Sequence, residues 1–178
     1  MEIPTIDLSV EESVATVELL TALETVGFAT LVNHGVPLTL IDKAFVASKN
    51  FFALPLAIKN EYIFQGHESN RGYIAPGSET HDLEKDCLPD PKETFDIGKE
   101  NEPGYSNHWP EELADSSFRD DLTCYFRTMD DLYLRLMKMI GVGLKLPDPD
   151  FFVKQCNDQH ENLRLLHYHA LPPDHPNK

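Results

Sequence analysis

The chain has 178 residues, 41% of them hydrophobic, and carries 30 acidic against 15 basic side chains for a formal charge of -15. That length and apolar content suit one domain with a real core, and without a Lys/Arg cluster neither nucleic acid nor an anionic membrane surface is an expected partner. No apolar run approaches the roughly 20 residues that span a bilayer, and MEIPTIDLSVEES lacks the basic-then-apolar pattern of a signal peptide. Three widely spaced cysteines, Cys87, Cys124 and Cys156, form no C-x-x-C pair, which suits a reducing, cytoplasmic setting over a disulfide framework or zinc finger.

In chain order, IPTIDLS alternates weakly and predicts a short edge strand. Ser9 followed by Glu12 has the form of a capping box, opening a helix to about Thr25 with Val14, Val17, Leu20 and Leu23 on its apolar side, and Gly27 stops it. FATLVNHG reads as a buried strand closed by a glycine turn. Pro37 and Thr39 start a second helix, with Ile41, Phe45 and Phe52 toward the core, and Pro55 starts a shorter one. From Gln65 to about Pro110 the periodicity fades, as in a disordered or functional stretch, although ETFDIG could form a strand. Its aromatic residues Tyr73, Phe95, Tyr105 and Trp109 imply packing.

The strongest element follows. Phe118, Leu122, Tyr125, Met129, Leu132, Leu136, Met139 and Ile140 recur at three-and-four spacing, predicting a long amphipathic helix. Gly141 and Gly143 loosen its end, and PDPDFFVKQC predicts a short helix. The closing NLRLLHYHAL alternates, with Leu163, Leu165, His167 and His169 on one face and Arg164, Leu166 and Tyr168 on the other. The fold class is α+β: helix-rich first, with a strand at the far end.

Eight histidines invite a metal reading, but their spacing offers no H-x-x-x-H, H-E-x-x-H, H-x-D or H-x-E. Only His167-x-His169 could place two imidazoles on one strand face, and a half-buried strand with polar residues near a loop uses the same pattern. No G-x-S-x-G elbow or phosphate loop is present. The acidic pairs Glu111–Glu112, Asp120–Asp121 and Asp130–Asp131 read as solvated helix faces. Arg164 beside an aromatic residue can hold a carboxylate or carbonyl with its paired donors, and Tyr168 adds another on the same face. An edge ion pair with a core tyrosine fits that spacing equally well.

Taken together, IPTIDLS, ETVGFATLVNHGVP, FFALPLAIKNEY, NRGYIAPGSE, DPKETFDIGKENEPG, HWPEE and NLRLLHYHALP resemble the N-terminal half of the Fe(II)/2-oxoglutarate-dependent dioxygenases related to isopenicillin N synthase. Within that superfamily the chain is most similar to fungal members of the thymine dioxygenase type. The resemblance implies three regions: a dioxygenase N-terminal region over 1–110, bracing helices over 111–160, and over 161–178 the first strands of a double-stranded β-helix that is left incomplete. It implies Fe(II) and 2-oxoglutarate as cofactors of the whole family, a small-molecule substrate, and hydroxylation as the reaction. By position, Tyr168 matches the tyrosine near 2-oxoglutarate, Arg164 a residue facing the substrate, and Asn70, Arg71 and Tyr73 a loop at the pocket entrance. The family's iron ligands, an H-x-D pair and a later histidine, belong downstream of LRLLHY and are not in this sequence, so no metal ligand and no catalytic residue is assigned. Neither cofactor is therefore expected to bind tightly to these residues alone. A second reading is a non-catalytic interaction module, lending its last strand to a partner's sheet.

Overall fold

The computed structural model describes residues 2–64, 71–78, 91–158 and 160–170. It divides into two compact units, Met1–Ile41 with Cys124–Gln159 and Asp42–Thr123 with His160–Lys178.

In the first unit β1 (Thr5–Asp7) pairs in parallel with β2 (Thr30–Val32), Ile6 opposite Leu31. IPTIDLS is thus the short strand its alternation suggests. FATLVNHG is not the buried strand expected: it forms only three residues, two of them exposed, because Asn33 (φ 52°) and Gly35 (φ 86°) turn the chain directly after Val32. Helix α1 (Glu12–Thr25) ends at the expected place, where Gly27, at φ 83°, and Val26 both donate to the Ala22 carbonyl. The expected capping box does not form. Asp7 takes Ser9 instead, its Oδ1 accepting the Ser9 amide at 2.8 Å and hydroxyl at 2.7 Å, and Glu11 occupies the N-cap without a side-chain bond to the helix amides.

The buried face of α1 is also offset from the expected one. Ala15, Leu19 and Ala22 are buried with Ile6, Leu8 and Met139, while Val14 and Val17 face solvent. Apolar residues surround this helix on most sides, so spacing alone admits more than one stripe, and close approach to the strands selects the small alanines.

Helix α2 (Leu38–Phe52) buries Ala44, Ala47, Phe51 and Phe52 and leaves Phe45 67% exposed, correcting the expectation for Phe45. Helix α3 (Leu56–Lys59) follows Pro55 as expected. The longest element, α4 (Phe118–Gly143), seats Leu132, Leu136 and Ile140 against the first unit's core and buries Phe118 and Leu122 in the second. Its stripe runs Phe118, Leu122, Phe126, Asp130 in steps of four, so Phe126 is buried and Met129 is not. Asp130, 7% exposed, is accordingly no part of a solvated face. Helix α5 (Phe151–Cys156) is the expected short helix.

The second unit holds an antiparallel sheet in the order β3 (Gly72–Ile74), β4 (Lys92–Gly98), β5 (Asn162–Tyr168). Phe95 pairs with Tyr73 on one side and Leu165 on the other. Around Phe95 packs an aromatic cluster: the Phe51 ring lies 4.2 Å from it, and Phe52, Tyr73 and Phe118 ring Phe51 at 5.3, 5.9 and 6.1 Å. Trp109 meets Phe118 edge-on at 5.9 Å, so Tyr73, Phe95 and Trp109 of the weakly periodic stretch do pack, whereas Tyr105 is 37% exposed.

Gly72 enters the sheet at φ 108°, and a Cβ there would lie 2.6 Å from the Tyr62 carbonyl oxygen. Gly72→Ala is expected to destabilise the chain by about 3 kcal/mol, since the strained backbone angle adds to a clash that no side-chain rotation relieves. A urea midpoint equal to that of the parent would contradict this.

Candidate functional site

Every residue of β4 is buried, although its sequence, KETFDIG, holds three charged groups. Alternation sends Glu93, Phe95 and Ile97 to one face, and Lys92, Thr94 and Asp96 to the other. Each buried carboxylate therefore needs its own partners.

Glu93 is 0% exposed and collects four. Its Oε2 accepts the Lys59 ammonium at 2.6 Å and the Tyr73 hydroxyl at 2.5 Å. Its Oε1 lies 2.7 Å from His167 Nδ1 and 3.4 Å from His169 Nε2. Lys59 comes from the last residue of α3, where its Nζ also donates to the Phe52 carbonyl at 3.2 Å. Burial by itself pushes the Glu93 carboxyl up, but hydrogen bonds from Lys59, Tyr73 and His167, with the lysine's charge, hold it below the usual carboxylate range. The same burial, reinforced by the Glu93 charge, pushes the Tyr73 hydroxyl up, so it stays a neutral donor. Ring centroids of His167 and His169 stand 4.6 Å apart, and both side chains are nearly half-exposed.

On the opposite face Asp96 receives Arg164 through two parallel bonds, Nε to Oδ1 and Nη2 to Oδ2, each 2.8 Å. Leu166 and Tyr168 continue this face at 49% and 62% exposure. Nearby, the Arg71 guanidinium donates to Asn162 and pairs with Glu102 at 3.3 Å. Gly98 makes room for it, because a Cβ at Gly98 would stand 2.0 Å from Arg71 Nη2. His160 Nδ1 lies 2.8 Å from the same Glu102.

Of the residues singled out from sequence, Arg71, Arg164 and Tyr168 come to one side of the sheet. Tyr73 is fully buried on the other, with its hydroxyl on Glu93. Asn70 lies outside the described residues. Lys59, Glu93 and Asp96 were not singled out. A signal existed for Glu93: on its face of β4 it alternates with Phe95 and Ile97, and a carboxylate in a core stripe demands a cation. Nothing in the local sequence names Lys59 as that cation.

Residues 3–112 match the family described as non-haem dioxygenase in morphine synthesis, N-terminal. A UPF0676 protein of Schizosaccharomyces pombe is 36% identical over 94% of this chain and 51% of its own length. The proline hydroxylase buaE of Petromyces alliaceus is 32% identical over 86% of this chain and 49% of its own length. Among solved structures, full-length Neurospora crassa thymine 7-hydroxylase with α-ketoglutarate and thymine superposes with a TM-score of 0.83 at 33% identity, over 93% of this chain and 55% of that one. The chain spans about half the length of the curated relatives it matches. Among the described residues, no helix is long and apolar enough to cross a membrane.

Proposed function

Because the chain belongs to the Fe(II)/2-oxoglutarate-dependent dioxygenases as an N-terminal region of that family, we propose that it supplies the substrate-side wall of an enzyme hydroxylating a small molecule, with a pyrimidine such as thymine as substrate. The observation that carries this reading is the Arg164–Asp96 fork. Two bonds to a carboxylate only 1% exposed hold the guanidinium in place while the Arg164 side chain stays 39% exposed. The strand thus presents a fixed, partly exposed guanidinium beside Tyr168, suited to a planar ligand with several polar edges. Likeness to a structure solved with thymine supports the substrate class.

On the face of the sheet that carries Arg164 and Tyr168, the described residues offer no donor set for the family's Fe(II). The one donor cluster among the described residues is Glu93, His167 and His169. It sits on the face of the sheet opposite Arg164 and Tyr168, so an ion held there would not face the proposed substrate wall.

Residues 1–178 alone are expected to turn over no co-substrate. The test supplies the purified chain with Fe(II), 2-oxoglutarate and thymine and measures succinate, which should stay at the no-protein level. Joining the same residues to a relative's half that contains the H-x-D pair should give thymine-stimulated succinate, lowered by Arg164→Ala at raised KM. Succinate from the chain alone, or a joined protein indifferent to thymine, overturns the reading.

A further inference from the structure

We propose that Glu93, His167 and His169 form a site for one divalent transition cation of the zinc, cobalt or nickel class, which clamps the end of β5 to β4. Three donors of the kinds these borderline ions take, two imidazole nitrogens and one carboxylate oxygen, lie within 4.8 Å of one another. They arrive there for structural reasons. His167 is the register partner of Glu93 across the β4–β5 ladder, and His169, two residues on, returns to the same face. The chain stays paired that far, since the His169 amide donates to the Pro91 carbonyl at 3.3 Å.

The spacing suits an ion. Around a tetrahedral centre with bonds of about 2.0–2.2 Å, neighbouring donor atoms stand about 3.3 Å apart. His169 Nε2 already lies 3.4 Å from Glu93 Oε1. His167 Nδ1, now at a hydrogen-bond distance of 2.7 Å from that oxygen, needs to open by about 0.6 Å as the ion replaces the bridging proton.

The surroundings suit it too. Tyr73 and Lys59 hold the other carboxylate oxygen, Oε2, which aims Oε1 at the two imidazoles, the part that outer partners play around metal ligands. The Phe52 ring backs His167 at 5.3 Å. His167 and His169 remain 44% and 46% exposed, leaving an entry path and room for water as the fourth ligand. Lys59 offsets the carboxylate charge, so affinity should fall short of that of thiolate sites.

The test titrates the metal-stripped 178-residue chain with Co(II) and follows visible absorption. Uptake should saturate at one equivalent. His167→Ala and His169→Ala should each weaken it by at least about tenfold, and His34→Ala should leave it unchanged. His169 lies beyond the last residue of β5 and is exposed, so His169→Ala keeps the fold, as far-ultraviolet circular dichroism will verify. Absence of saturable uptake, or uptake that either the His167 or the His169 variant leaves unchanged, overturns the site. Because the readout involves no turnover, its outcome is separate from that of the succinate assay.

Discussion

Glu93→Ala should destabilise the chain by about 3–5 kcal/mol, read as a fall in the urea midpoint at neutral pH. The removed carboxylate is not the main source of that loss. Lys59 is 6% exposed, and with Glu93 gone its ammonium keeps, among the described residues, the Phe52 carbonyl and the rings of Tyr73 and Phe52, 5.5 and 6.0 Å away. A buried charge without its counterion is the costly species. It follows that Glu93→Ala combined with Lys59→Met should recover most of the loss, because the second change removes the stranded charge and keeps the aliphatic stem. A double variant as unstable as the single one would contradict this account.

The pair also has a pH signature. The Glu93 carboxyl is held below its ordinary value of 4.5 in the folded chain. Its contribution is therefore complete above that value and is lost as pH falls through the lower folded-state one. Glu93→Gln, which cannot ionise, should be less stable than the parent at neutral pH, and its stability should fall less steeply on acidification. Parallel acid limbs for the two proteins would contradict the assignment.

Phe51→Ala is the second large effect, expected at about 3–5 kcal/mol. Phe51 is 0% exposed and touches the rings of Phe52, Tyr73, Phe95 and Phe118. Truncation forfeits the transfer term and leaves a hole that rigid rings close poorly. Phe45→Ala, six residues earlier on α2 and 67% exposed, should shift the midpoint by no more than about 0.5 kcal/mol. Equal effects from these two phenylalanines would show that the packing described here is wrong.

Those same phenylalanines show what the sequence discloses and what it withholds. Periodicity and glycine placement locate α1, α2 and α4, because helix formation is governed by local spacing and by the residues that end it. Alternation gives β5 and its two faces for the same reason. Which stripe of an all-round apolar helix turns inward is set by partners far along the chain. Val14 and Val17 therefore look as suitable as Ala15 and Leu19, and Phe45 as suitable as Phe51. The hub on Glu93 was harder still to read: Lys59, Tyr73, Glu93 and His167 come from four separate segments, and no window of sequence contains the pair that neutralises the charge. Arg164 was legible as a paired donor, while its partner Asp96, 68 residues away, was not.

The separation along the chain of the two strands that share Glu93 has a kinetic consequence. His167 meets Glu93 across 74 positions. Closing a loop of that length costs about 4 kcal/mol in chain entropy before any contact across it is made. The central strand must therefore wait, with one edge bare, Asp96 without Arg164 and Glu93 without His167, until the two helices that follow have brought β5 back. During synthesis that last strand also leaves the ribosome well after β4. The slowest folding step should accordingly be the docking of β5, and a nascent chain stopped before Leu163 should expose β4 as a template for mispairing.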